Sequence, residues 1–124
     1  MSLRLLLPLM YMAILFALSS IHGGASATPA EELLAWLPPG IQNLLHIPVW
    51  AGLTGCWVWA LQRNHYPLLL AATFSVSYGI VDELYQRTVP GRYGSLTDLL
   101  FDTIGVIATL LLVACFKKSS SAIT

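Results

Sequence analysis

Asp82, Glu83, Gln86, Arg92, Asp98 and Asp102 fall within one short stretch of an otherwise apolar chain, and their types and spacing could do chemistry. Carboxylates bind hydroxyl or amine donors, and they act as general acids or bases when held against a reacting proton. A guanidinium such as that of Arg92 can hold a phosphate or carboxylate through paired N–H donors. On a helix, Tyr78 and Asp82 are four residues apart, Glu83 and Gln86 three, and Asp98 and Asp102 four, so each pair shares a face. Two carboxylates one turn apart repel unless a cation stands near. Arg92 is the expected compensating charge, with Arg87 the second. His46 starts at the same boundary and adds a group that carries protons near neutral pH.

The expected site is therefore a pocket lined by His46, Asp82, Glu83, Gln86, Arg92, Asp98 and Asp102. Glu83, Asp98 and His46 are its candidate catalytic groups. Arg92, Gln86, Asp82, Glu83 and Asp102 are its candidate ligand-binding groups. The spacing of His46 and the acids matches no established metal motif, so no metal and no cofactor is assigned. Most of these residues also have a plainer reading. Asp82 and Gln86 can be solvated helix-end groups, Glu83 a salt-bridge partner of Arg92, Asp98 a helix cap, and His46 an interfacial histidine. Asp102 resists that treatment. It lies about a turn inside an apolar run, where a charge costs roughly 2.5–3.5 kcal/mol on insertion scales.

The elements that must position these groups read as helices throughout. Residues 3–21 form an apolar run just long enough to cross a bilayer. Ala25-Ser26-Ala27 after it resembles a signal-peptidase site, but the run is long for a signal sequence and is expected to be retained. Residues 22–43 form a connector with an amphipathic segment around Glu31-Glu32 and Trp36. Further spans are expected at about 44–61, 66–84 and 98–116. Gly52, Cys56 and Ala60 make one small-residue stripe, and Ala71, Ser75 and Gly79 another, each allowing close helix approach. Trp50, Trp57 and Trp59 are expected to face lipid or the interfaces. Pro90-Gly91 suits the centre of a type II turn. Ser95 and Asp98 form a capping-box pattern at the start of the last helix.

The fold class is thus all-α, one polytopic transmembrane bundle over residues 1–124, with four spans, or three if the first segment is cleaved. Composition agrees. The chain is 56% hydrophobic and only 10% charged, against about 25% charged for a soluble domain. No basic face points to nucleic acid. Cys56 and Cys115 lie in apolar runs and read as packing residues. Arg4, Arg63, Lys117 and Lys118 fall on one side, and all acidic residues fall on the other. The positive-inside rule then puts both termini in the cytoplasm and the 82–97 loop outside, in a bacterial inner membrane.

The ordered motif Asp82-Glu83-x-x-Gln86-x-x-x-Pro90-Gly91-Arg92-x-x-Ser95-x-x-Asp98-x-x-x-Asp102-x-x-Gly105 resembles the signature of the VanZ-like family. Asn43-Leu-Leu-His46 is similar to that family's Lys-x-x-His. The resemblance covers roughly Leu44 to Leu112. Asn43 stands where the family has Lys, and Asp102 where it has Asn, which adds a negative charge. The resemblance implies a small helical membrane protein of the cell envelope, in a family named for a member linked to low-level resistance to the antibiotic teicoplanin.

Three functions compete. The first is binding of an anionic lipid or lipid-linked envelope component, with Arg92 on its phosphate or carboxylate. The second is an enzyme acting on such a lipid, with Glu83 or Asp98 as base and His46 as proton shuttle. The third is a structural protein that self-associates or docks partners through its small-residue stripes.

Overall fold

The computed structural model describes residues 3–20, 39–92 and 94–121. The amphipathic segment around Trp36 and the Ala25-Ser26-Ala27 sequence lie outside them. The described residues are helical without a strand: α1 (Leu3–Ser19), α2 (Pro39–Leu44), α3 (His46–Leu61), α4 (Pro67–Gln86) and α5 (Leu96–Ser121). Leu45 interrupts α2 and α3 while keeping near-helical angles, φ −64° and ψ −20°. Pro48 has no N–H to give to the Leu44 carbonyl, so the helical ladder breaks there.

α3 is the centre of the bundle and packs on α5, α4 and α1. Its Trp50, Leu53, Trp57, Val58 and Leu61 are buried with Leu15, Ala71 and Val106. Polar contacts tie the helices. Thr54 donates to Ser75 Oγ at 3.0 Å, Tyr11 to the Val49 carbonyl at 3.0 Å, and Thr109 to the Ala51 carbonyl at 3.1 Å. Such bonds and close packing are what associate helices where hydrophobic exclusion gives no net drive. The Ala71-Ser75-Gly79 stripe is buried inside the chain, and so is no docking surface for a partner. Gly105 lies where an added Cβ would run into the Ile47 carbonyl oxygen, and this sets how closely α3 and α5 approach.

Two helices, α4 and the Leu96–Ser119 part of α5, are long and apolar enough to cross a membrane. α1 is apolar but has 17 residues, and α3 has 16. At 1.5 Å per residue these reach about 25 Å, short of a hydrocarbon core of about 30 Å. Four long helices stand where four spans were expected, but among the described residues only two have the length and hydropathy of a full span. Large apolar side chains line the outer faces, among them Leu69, Phe74 and Ile80 on α4 and Ile107, Leu111 and Phe116 on α5.

The tryptophans correct the expectation that all three face outward. Trp50 and Trp57 are buried, and Trp57 stacks on Phe74 at 4.6 Å. Only Trp59 is exposed, with the Arg4 guanidinium 5.4 Å from its ring centroid. That contact puts the start of α1 and the end of α3 at one end of the bundle. The four acidic residues among the described ones, Asp82, Glu83, Asp98 and Asp102, gather at the other.

Candidate functional site

The site is built where α4 ends and α5 begins. α4 runs without interruption through Asp82, Glu83 and Gln86, all three buried. The chain then turns at Pro90-Gly91. Gly91 has φ 78°, and Arg92 N–H donates to the Val89 carbonyl at 3.1 Å, which is a type II turn. Ser95 caps α5, its hydroxyl accepting from Thr97 N–H at 3.1 Å. The return half of the expected capping box is missing. Asp98 does not reach the Ser95 N–H. Glu83 Oε2, from α4, accepts that N–H instead at 2.7 Å. One carboxylate thus staples the start of α5 to the end of α4.

His46 and Asp102 are hydrogen-bonded, with Nδ1 and Oδ1 2.8 Å apart, and form an ion pair when the imidazole is protonated. Asp102 is 2% exposed, and its partner is His46 rather than Arg92. The His46 ring stacks on Trp50 at 5.7 Å, and Trp50 on Tyr78 at 6.4 Å. Tyr78 in turn donates to the Met12 carbonyl at 2.7 Å, anchoring the column to α1. α3, α4 and α5 meet at this level. A Cβ on Gly79 would stand 3.0 Å from Trp50 Nε1 and 3.4 Å from Asp102 Oδ2.

A second cluster joins α4 to α1. Asp82 Oδ2 accepts from Ser19 Oγ at 2.9 Å and from Gln86 Nε2 at 2.8 Å. Gln86 therefore pairs with Asp82, four residues back, and not with Glu83. Arg92 makes no ion pair among the described residues, against the expectation that it compensates the acids. Its Nη2 lies 3.5 Å from the Leu18 carbonyl. The physical reason is the C-terminus of α1, whose last carbonyls lack helical partners and carry the negative end of the helix dipole. Arg87 is exposed and forms no ion pair among the described residues. Ser19→Ala is expected to lower stability by about 1 kcal/mol, because Asp82 keeps its Gln86 donor. Thermal unfolding in detergent measures it, and an unchanged midpoint would sink the assigned bond.

Between these clusters lies a cavity of about 400 Å³. Leu15, Leu18, Leu45, Val49 and Trp50 make it apolar on one side. His46, Asp82, Gln86, Arg92 and Asp98 make it polar on the other, with Ser19, Asn43 and Gly91 completing the lining. Of the expected pocket residues, Glu83 and Asp102 are the two that do not line it. They sit behind His46. His46, Glu83 and Asp102 each bring one donor atom within 4.8 Å of the others. Each of the four carboxylates keeps one buried oxygen with no hydrogen-bond partner: Asp82 Oδ1, Glu83 Oε1, Asp98 Oδ1 and Asp102 Oδ2. Arg92 Nε and Trp50 Nε1 are likewise buried and unpartnered.

Ser19 and Trp50 belong to this site and were not expected in it. Ser19-Ser20 does interrupt the first apolar run, a visible sign that its end meets something polar. Nothing in the sequence marks Trp50 apart from Trp57 and Trp59.

The family model described as VanZ/LLP1 matches residues 3–117 of the chain. No curated protein and no solved structure matches it significantly.

Proposed function

The chain belongs to the VanZ/LLP1 family, and from that premise we propose that it is an integral membrane protein of the cell envelope that binds an amphiphile with an anionic headgroup. The observation that carries the reading is the cavity. An apolar wall from α1 and α3 faces a polar wall in which Arg92 stands beside Asp82 and Asp98. An acyl or polyprenyl chain suits the first wall. On the second, Arg92 holds phosphate or carboxylate. The Asp82 and Asp98 carboxylates, which line the same wall, accept from hydroxyl or amine groups. A lipid-linked envelope precursor carries both kinds of group. The segregation of Arg4, Arg63, Lys117 and Lys118 from the acids supports a bacterial inner-membrane location with the cavity facing outward and both termini cytoplasmic.

The test is purification of wild type and Arg92→Ala in mild detergent, followed by native mass spectrometry and lipid extraction. Wild type is expected to retain one amphiphile above its abundance in the bulk membrane. Arg92→Ala is expected to hold at least tenfold less at equal protein level, and Arg92→Lys an intermediate amount, since a point charge replaces a fork of donors. Equal occupancy in Arg92→Ala would refute the reading. In parallel, teicoplanin susceptibility of cells expressing each variant reads out any link to glycopeptide resistance.

One observation favours a second reading. His46 is oriented by Asp102 and opens onto the cavity, which is how a general base is held by a third group. An enzyme acting on the bound lipid would use it so. Purified protein that leaves every lipid it binds chemically unchanged excludes that role.

A further inference from the structure

We propose that His46, Glu83 and Asp102 form a binding site for a divalent transition-metal ion of the Zn²⁺ type. The inference does not rest on the lipid reading, since two of its three ligands, Glu83 and Asp102, sit behind the cavity wall and the test uses metal alone.

Three lines on the structure lead to it. The first is convergence. The three residues come from the start of α3, the end of α4 and the second turn of α5, and no sequence spacing unites them. Yet their donor atoms all lie within 4.8 Å of one another. Two ligands at about 2.1 Å from one tetrahedral ion stand about 3.4 Å apart. The donor atoms therefore need to close by up to about 1.4 Å.

The second line is the unpartnered atoms. Glu83 is 5% exposed and Asp102 2% exposed, and each directs one oxygen, Oε1 and Oδ2, to no hydrogen-bond donor. Their other oxygens are fixed. Ser95 N–H holds Glu83 Oε2, and His46 holds Asp102 Oδ1. An ionised carboxylate is acceptor-only, so only a donor or a cation satisfies such an oxygen. Leaving it unsatisfied in a buried place is costly.

The third line is charge. Four carboxylates gather at this end of the bundle, and the cation expected among them, Arg92, turns instead to the Leu18 carbonyl. His46 is the only basic side chain in direct contact with any of the four among the described residues. A divalent ion supplies the missing positive charge. The donor set selects the ion. One imidazole nitrogen and two carboxylate oxygens suit Zn²⁺ or Mn²⁺. Ca²⁺ takes six or more oxygens, and Mg²⁺ keeps most of its waters. Stacking on Trp50 orients the His46 ring, and Ser95 N–H orients Glu83, as outer contacts do around bound metals. On binding, the ring nitrogen of His46 that ligates gives up any proton it carries to solvent, and Glu83 Oε1 and Asp102 Oδ2 supply the oxygen ligands.

The experiment uses the full chain in detergent, stripped with chelator and titrated with Zn²⁺, Mn²⁺ or Mg²⁺ alone by calorimetry. Bound metal is then counted by elemental analysis. Wild type is expected to bind one Zn²⁺ per chain, with Mg²⁺ at least tenfold weaker. Glu83→Gln and Asp102→Asn keep the shape and the second oxygen's hydrogen bond, and each is expected to weaken Zn²⁺ at least tenfold. His65→Ala, in the exposed turn before α4, is expected to leave binding unchanged. Thermal unfolding without metal checks that each variant is folded. Should either site variant fail that check, Co²⁺ added to wild type decides: selective paramagnetic broadening of the His46 imidazole signals over those of His65 is expected. No stoichiometric Zn²⁺ in folded wild type, undiminished binding in folded site variants, or broadening confined to His65 overturns the proposal.

Discussion

Gly105→Ala is expected to remove most of the folded protein from the membrane, although it adds one methyl group to a helix. The new Cβ would run into the Ile47 carbonyl oxygen and stand 3.0 Å from the Ala51 backbone nitrogen. Neither atom is the end of a flexible side chain, so α3 and α5 must separate along their whole contact. Overpacking costs about 1–3 kcal/mol where side chains can adjust, and here backbone meets backbone, so the upper end applies. Separation also pulls His46 from Asp102 and loosens the Thr109 bond to Ala51. Gly55→Ala is the control. Nothing lies within 4 Å of a Cβ at that position. Alanine there should stabilise α3 by about 0.5–1 kcal/mol through helix propensity. The two variants are compared by membrane level and by thermal midpoint in detergent. If Gly105→Ala matches wild type, the close crossing of α3 and α5 is wrong.

His46→Ala is expected to be the most damaging substitution within the site. It strips Asp102 of its one partner among the described residues and leaves a carboxylate 2% exposed with neither oxygen bonded there. Removing one member of a buried pair costs about 3–5 kcal/mol, chiefly because the other is left uncompensated. His46 is itself 24% exposed, so the reverse removal is expected to cost less. Asp102→Leu lets the imidazole go neutral and meet solvent. The order tests the mechanism. The double variant His46→Ala, Asp102→Leu should unfold at a higher temperature than His46→Ala alone, since it deletes the orphan charge. A double variant no more stable than His46→Ala would show that the damage comes from lost packing on Trp50 instead.

Much of the fold was legible because it depends on patterns that repeat locally. Long apolar runs, the Pro90-Gly91 turn and the Ser95 cap follow from hydropathy, proline geometry and side-chain reach over a few residues. Asp102, Gly105 and Thr109 fall on one face of α5 by helical spacing, and all three meet α3. Span length was less so. A hydropathy run does not show that Pro48 breaks the helix beside His46, or that α1 and α3 stop short of a bilayer's thickness.

The pairing of charges was beyond that reach, since charge in the sequence is a count and an ion pair is a distance. Arg92 was the natural partner for the acids by proximity along the chain. The structure brings it to the orphan carbonyls at the end of α1, 74 residues away, and gives Asp102 to His46, 56 residues away. Glu83 was expected beside Arg92 and instead staples Ser95. Trp50, expected at lipid, carries the His46 ring. What the sequence alone determined is that an acidic, Arg-bearing helical hairpin interrupts an apolar chain, because helix periodicity and turn chemistry act within a few residues. Which oxygen meets which donor, and which buried oxygens meet none, was decided only by the packing of α1 and α3 against that hairpin. Those contacts join residues with no local relation, and only the closed bundle brings them within bonding distance.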